Sequence, residues 1–263
     1  MQRRPIEGNI RSQRPDRQGI LKKDKLIPGS LIFSDQYVSS VPGKHFNGKG
    51  QLCSTKGFNG GTIFCDAASG FLSIHHQQTF TSHETLQSML SFEREAAEVG
   101  VDIKGYNTDN GVYTAKQIMN KLQTDKQLLR LSGVGAHHQN GVAENTIKNV
   151  SRKGRIFMFH AALGWPDKFD KTLWPQAMSH AVHLHNHIPK RPHGLAPTEI
   201  WSKSISTHSQ IINAHPFGVP AYVLNPRLQD GAKIPKFDPR SNQGIYVGPS
   251  PLHASTVGLI LNP

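Results

Sequence analysis

The sequence predicts an α/β domain built on a mixed sheet, followed by a small all-β unit. Three observations carry this. Three apolar runs of strand length come in succession, and helix-length and strand-length stretches then alternate. Two long helical stretches close that region. Beyond about residue 206, short strands recur between Gly and Pro residues, as in a compact barrel. A chain of 263 residues holds one ordinary domain and a small second one. The expected division is a flexible basic arm over 1–29, a core over 30–203, and a linker with a small β unit over 204–263.

The first strand is expected from Ser30 to Asp35 and ends on that carboxylate. Gly61 to Asp66 and Phe71 to His76 form two more strands, joined by the small-residue turn Ala67-Ala68-Ser69-Gly70. The stretch over 39–60, rich in Gly, Lys and Ser, reads as a loop. Ser82 to Val99 reads as a helix, with a capping residue in Ser82-His83-Glu84-Thr85 and Gly100 at its end. Val101 to Thr108 is a fourth strand, Ala115 to Leu122 a short helix and Leu128 to Leu131 a fifth strand. A long helix is expected from Val142 to Ala162, and Trp165-Pro166 interrupts it. Another spans Leu173 to His187, stopped by Pro189. Ala221–Leu224, Gln243–Gly248 and Thr256–Leu261 are the strands of the small unit.

Composition narrows the function classes. Thirty Lys and Arg against eighteen Asp and Glu give a net charge of +12. A balance this basic points to an acidic partner, nucleic acid first. Cys53 and Cys65 form neither a C-x-x-C pair nor a disulfide framework, which fits a reducing interior. No apolar run is long enough to span a membrane, and the N-terminal segment is polar and basic, unlike a signal sequence. Asn149-Val150-Ser151 matches a glycosylation sequon that means nothing without secretion. Gly133-Val134-Gly135 lacks the pattern of a nucleotide-binding turn, so no nucleotide cofactor is expected.

Three carboxylates stand out. Asp35 closes the first expected strand and Asp109 the fourth, while Glu144 lies in the first turn of the long helix. Carboxylates at strand ends lie at an open sheet edge, where sites of α/β folds concentrate. Three acids in one place repel unless cations stand between them, and oxygen ligands suit hard ions such as Mg²⁺. Two such ions roughly 3.5–4 Å apart activate an attacking oxygen and stabilise a leaving one in phosphoryl transfer. Asp66 competes for the role of first acid; its place on the second strand makes a structural role the expectation.

The series Asp35, then Asp109-Asn110-Gly111, then His138-Gln139-Asn140-Gly141-Val142-Ala143-Glu144 resembles the D,D,E integrase core of copia-type retrotransposons and retroviruses. The stretch from Gln139 to Glu144 is close to that family's Q-N-G-V-A-E. Trp174-Pro175-Gln176-Ala177 and Asn186-His187-Ile188-Pro189 look like its W-x-x-A and N-x-x-P helix. The resemblance spans about residues 30–203, and 213–263 look like the SH3-like barrel that follows such cores. It implies an RNase H-like fold, a mixed five-stranded sheet flanked by helices. It implies catalysis and metal binding by Asp35, Asp109 and Glu144 with two Mg²⁺ or Mn²⁺ ions. It also implies 3′-end processing and strand transfer on DNA, homo-oligomers, and a nuclear location. The last two acids are separated by 34 residues, one fewer than is usual in retroviral members, a gap that varies by a few within the family. Two departures matter, of which the first is Asn145, where the family often has Arg. The family's upstream His-His-Cys-Cys module and reverse transcriptase are not in this sequence. The expectation is therefore a polyprotein fragment, a decayed copy or a domesticated gene.

Helical geometry adds a surface. Advancing about 100° per residue from Glu144 puts Lys148, Arg152 and Arg155 within about 80° of it. Val150, Phe157 and Ala161 fall on the far side, with Ile147 about 60° from Glu144 on the other flank, and these apolar residues should pack inward. Lys148, Arg152 and Arg155, together with Gln139 and Asn140, are thus the expected DNA contacts, with Lys190 and Arg191 weaker candidates. His180, His183 and His187 share one side of the following helix, and His137 and His138 precede Glu144. A metal site there is one reading; with no cysteine nearby, packing and surface roles are the expected ones. Two rival functions stay open: a DNA-binding remnant that no longer cuts, and an RNase H-like nuclease.

Overall fold

The structure is a computed structural model of the full chain. It describes residues 27–46, 52–53, 57–133, 140–191, 194–205, 211, 214–250, 253 and 257–262. Five strands form one sheet in the order β3-β2-β1-β4-β5. They are β1 (Ile32–Gly43), β2 (Phe58–Asp66), β3 (Leu72–Gln77), β4 (Gly105–Thr108) and β5 (Leu128–Leu131). The first three pair antiparallel, whereas β4 pairs parallel to both β1 and β5. This is the mixed sheet of an RNase H-like fold.

Alternation along the strands divides the core in two. Ile32 and Phe64 face α1 (Ser82–Glu98) and α2 (Lys116–Thr124), where Met89, Phe92, Ile118 and Leu122 bury them. Phe64 stacks on Phe92 with ring centroids 4.7 Å apart. Tyr37, Ile63 and Cys65 face the other way, toward α3 (Gly141–Gly164) and α4 (Trp174–His187), against Val150, Trp174 and Met178. Because β2 lies between two partner strands and two helical layers, every residue from Gly60 to Asp66 is buried. A Cβ on Gly60 would stand 2.0 Å from the Tyr37 carbonyl oxygen, so only glycine permits this packing.

Several boundaries differ from the sequence reading. β1 runs eight residues past Asp35 because Gln36, Tyr37 and Val38 continue the antiparallel ladder with Thr62, Gly61 and Gly60. Asp35 therefore lies inside its strand rather than at its end. Much of the expected 39–60 loop is strand for the same reason. The cap of α1 is Thr81 instead of Ser82: its hydroxyl accepts from the Glu84 amide at 3.3 Å, and Glu84 accepts from the amides of Gln78 and Thr79. Gly100, at φ +73°, closes the helix as expected. A short helix, α5 (Pro197–Ser202), had no counterpart in the reading; its Trp201 is buried against Phe71 and Phe92.

The C-terminal region forms a three-stranded antiparallel sheet, β6 (Pro220–Leu224), β7 (Ser241–Pro249) and β8 (Gly258–Leu261), with β7 central. A four-residue helix, α6 (Pro226–Gln229), joins β6 to β7. The expected closed barrel is thus, among the described residues, an open sheet. One face is covered, because Ile245, Val247 and Phe217 pack on Ala161 of α3 and Leu173 and Ala177 beside α4. At the contact Gly218 has φ +86°, and a Cβ there would stand 2.4 Å from that of Ala161. The indole of Trp165 donates to the Gly218 carbonyl at 2.7 Å.

Asp66, the rival acid, is 1% exposed. One carboxylate oxygen accepts from the Gly29 amide at 3.0 Å, the other from the Ser69 amide at 2.7 Å and its hydroxyl at 2.6 Å. It closes the β2–β3 turn and ties the entry to β1. Replacing it with Ala strands three buried donors. We expect Asp66→Ala to lower the unfolding free energy by about 3 kcal/mol, read as a fall in the urea midpoint at unchanged slope. A midpoint within error of wild type would refute the structural role.

Candidate functional site: three acids at the β1–β4 divergence

The parallel register places two of the acids. Phe33 is paired with Asn107, the last paired residues of β1 and β4, so Asp35 and Asp109 each lie two residues beyond that pair, Asp109 just past the end of β4. β4 ends at Thr108, whereas β1 runs on with β2. The two strands part at this level and leave a crevice at the carboxyl end of β4. By alternation Asp35 is on the face of Phe33 and Tyr37, which is the side α3 covers. α3 begins at Gly141, so Glu144 falls in its first turn, exposed, beside the same edge.

One residue ties all three acid-bearing segments. Ser34 directly precedes Asp35 and points to the opposite face, where its hydroxyl makes a short hydrogen bond with the phenol of Tyr113, in the turn after Asp109. Its carbonyl accepts from the side-chain amide of Asn140 at 3.2 Å, immediately before α3. Asn140 is a favourable capping residue by type, yet it makes no cap bond here. Its amide is spent on β1 instead. It is only 2% exposed, and its Oδ1 has no partner among the described residues. Expected as a DNA contact, Asn140 is a buried strut instead. Gln139 lies outside the described residues.

The acid loops are otherwise held by local bonds. Asp35 accepts from the Gln36 amide at 2.8 Å and Asp109 from the Gly111 amide at 3.2 Å. Asn110 donates its side-chain amide to the Ser132 carbonyl at 2.6 Å, which fastens the Asp109 loop to the end of β5. Burial pushes the Asp35 carboxyl up to about 6, and the charges of Asp109 and Glu144 push it further the same way, against the lowering effect of the Gln36 amide. Asp35 therefore senses both other acids. Burial, with a smaller push from Asp35 and Asp109, also raises the phenol of Tyr113 and keeps it protonated.

The expected approach of all three carboxyls to metal-sharing distance is not met as the side chains lie. Among the described residues no three His, Cys, Asp or Glu groups are arranged to hold one ion. Asp109 and Glu144 are both exposed. The chemistry of the set nevertheless fits a hard divalent ion. It offers carboxylate oxygens only, and burial with the neighbouring acids raises one of them, Asp35, to about 6.

The surface of α3 agrees with helical geometry over its first half. Lys148, Arg152 and Arg155 are exposed on the side of Glu144, while Val150 is buried and Ile147 and Phe157 pack inward. Past Arg155 the same outer face turns apolar, with Ile156 44%, Phe159 66% and Leu163 82% exposed. The sequence reading followed only the charges and passed over this stripe. Its signal was the i, i+3, i+7 spacing of Ile156, Phe159 and Leu163.

No family model matches the chain. Among solved structures it is similar to the intasome of simian T-cell lymphotropic virus, determined in complex with PP2A regulatory subunit B56 gamma. That match has a TM-score of 0.50 at 17% identity, covering 90% of this chain and 77% of the other. The integrase catalytic core domain of HTLV-2 in complex with magnesium matches with a TM-score of 0.46 at 17% identity, covering 67% of this chain and 98% of that one. At these identities the likeness is one of fold: the mixed five-stranded sheet with its helices is that of a retroviral integrase core.

Proposed function

We propose that this chain carries the catalytic core of a DNA integrase of retrotransposon type, with Asp35, Asp109 and Glu144 as its metal-binding acids. The observation that supports this most is the placement: Asp35 and Asp109 each follow by two residues the Phe33–Asn107 pair of the parallel strands, and Glu144 lies in the first turn of α3, which packs on that sheet. The integrase-core fold and the sequence from Gln139 to Glu144 point the same way. Magnesium is bound by the HTLV-2 core domain, and the same class of ion suits this carboxylate set.

The reaction is phosphoryl transfer on DNA. Bound divalent ions, Mg²⁺ or Mn²⁺, would supply charge for the attacking and leaving oxygens. The three carboxylates hold those ions on a rigid strand, a pinned turn and a helix start. Lys148, Arg152 and Arg155 take phosphates along α3 and set the duplex beside the acids. Water cuts near a 3′ end first, and the freed 3′ hydroxyl then attacks a target phosphodiester. Joining two DNA ends calls for more than one copy of the chain, and we propose a homo-oligomer that works in the nucleus. The basic arm over 1–29 and the β unit over 204–263 would extend the DNA-binding surface.

Strand transfer tests this reading directly. With a short duplex bearing a recessed 3′ end and Mn²⁺, the wild-type chain should yield joined products, and Glu144→Gln should lower them by a factor of about 100 or more. DNA binding without joining in the wild type would leave a remnant that no longer cuts. Cleavage of an RNA–DNA hybrid alone would leave a nuclease.

Two further outcomes follow from the site. Asp35 is ordinarily a stronger acid unfolded than folded, so the unfolded chain loses its proton first as pH rises. Its contribution to stability is full below about 3.8 and is lost as pH climbs through about 6. The melting temperature of the metal-free protein should therefore fall across that window in the wild type and not in Asp35→Asn. Millimolar Mg²⁺ should restore it; equal profiles for the two chains would count against a strained carboxylate. For the basic stripe, Lys148→Ala and Arg155→Ala should each reduce the salt slope of DNA affinity by about 1. An unchanged slope would remove that residue from the contact.

A further inference from the structure

A cavity of about 720 Å³ opens far from the acids, between β3, α4 and β7. Its polar lining is dominated by imidazoles: His45, His76, His180, His183 and His187, with His253 at the rim of the small sheet. Two of these have side-chain partners. His76 bonds Tyr37 and Ser179, and His253 bonds Ser250. The pair on the last turns of α4 is different.

His183 and His187 are four residues apart, one above the other on the helix. Their ring centroids are 4.3 Å apart. The Nδ1 of His187 donates to the His183 carbonyl at 2.8 Å. That bond fixes the tautomer and leaves the Nε2 lone pair unspent, as an outer hydrogen bond does for metal-ligating histidines. Neither ring nitrogen of His183 has a hydrogen-bond partner among the described residues. One turn earlier, His180 stacks at 6.5 Å from His183; it is 1% exposed, and its Nδ1 is likewise without a partner in the cavity wall. Two imidazoles in near contact with unspent lone pairs repel, and a cation between them removes that repulsion.

We infer that His183 and His187 form a two-imidazole chelate for a divalent transition-metal ion such as Zn²⁺ or Ni²⁺, with water in the remaining positions. Imidazole nitrogens select these ions over Mg²⁺, so the site is distinct in chemistry from the three acids. An i, i+4 histidine pair on one helix face is a known way to hold zinc. No third His, Cys, Asp or Glu completes the set among the described residues, which makes the site open and exchangeable. The residue after His183 is Leu184, so the pair lacks the H-E-x-x-H glutamate that acts on a zinc-bound water. The ion's role is structural: it clamps the last turn of α4, from which Asn186 pairs with the backbone of Leu72 at 2.9 and 2.7 Å.

The test is Ni²⁺ titration of the full chain by calorimetry, with excess Mg²⁺ present to occupy carboxylate sites. The wild type should bind one ion that His183→Gln or His187→Gln weakens by about tenfold or more, and that His160→Gln, on exposed α3, leaves alone. Binding to the His183→Gln/His187→Gln chain as tight as to wild type would overturn the proposal. Should either variant fail to fold, the wild type alone decides: excess Ni²⁺ should raise its melting temperature by mass action. No rise would overturn the inference as surely.

Discussion

Ser34 is the constraint on which the site's geometry rests. Asp35 belongs to a central strand, Asp109 to the segment just past β4, and Glu144 to the first turn of α3. Strand pairing reaches only to the Phe33–Asn107 pair and does not reach Glu144. The backbone and hydroxyl of one buried residue tie these segments together, through Tyr113 on one side and Asn140 on the other. Both bonds are shielded from water, where a lost partner costs more than the bond itself contributes. The acids can therefore repel one another at their tips while their backbones stay in register.

Much of the fold was legible because its cues are local. Alternation and turn residues located β2, β3 and β5, and the caps at Gly100 and Pro189 ended their helices. The length of β1 was not legible. Its extension past Asp35 depends on a partner, Gly60 to Thr62, whose glycines argue against a strand until the crowding against Tyr37 and His75 is seen. α5 was missed because six residues carry no period; only its burial of Trp201 makes it a helix worth forming. The open C-terminal sheet differs from the expected barrel because its inner face is closed by α3 and α4 rather than by further strands.

The acids themselves were readable as motifs, and the direction of the basic stripe as geometry. Asn140 shows where such reading stops. Its type and its place before a helix suggest a cap or a ligand contact, and both descriptions are consistent with sequence. Only the carbonyl of Ser34, distant in sequence, decides which hydrogen bond it makes. The outer face of α3 makes the complementary point. Charges were read because they have an obvious partner, whereas Ile156, Phe159 and Leu163 were passed over because exposed apolar residues scattered singly mean little. Their spacing makes them a stripe rather than a scatter.

The elevated carboxyl of Asp35 brings these threads together. A fold selected only for stability would separate like charges or neutralise one of them. Here a half-buried acid feels the charges of a second and a third, and among the described residues no salt bridge joins the basic face of α3 to Asp35 or Glu144. Had Lys148 or Arg155 closed on Glu144, the repulsion would be relieved and the oxygens occupied. Burial is the largest cause of the raised Asp35 carboxyl and the two neighbouring acids add to it, so positive charge brought to this cluster would offset part of that cost, in keeping with the metal-dependent phosphoryl transfer proposed above.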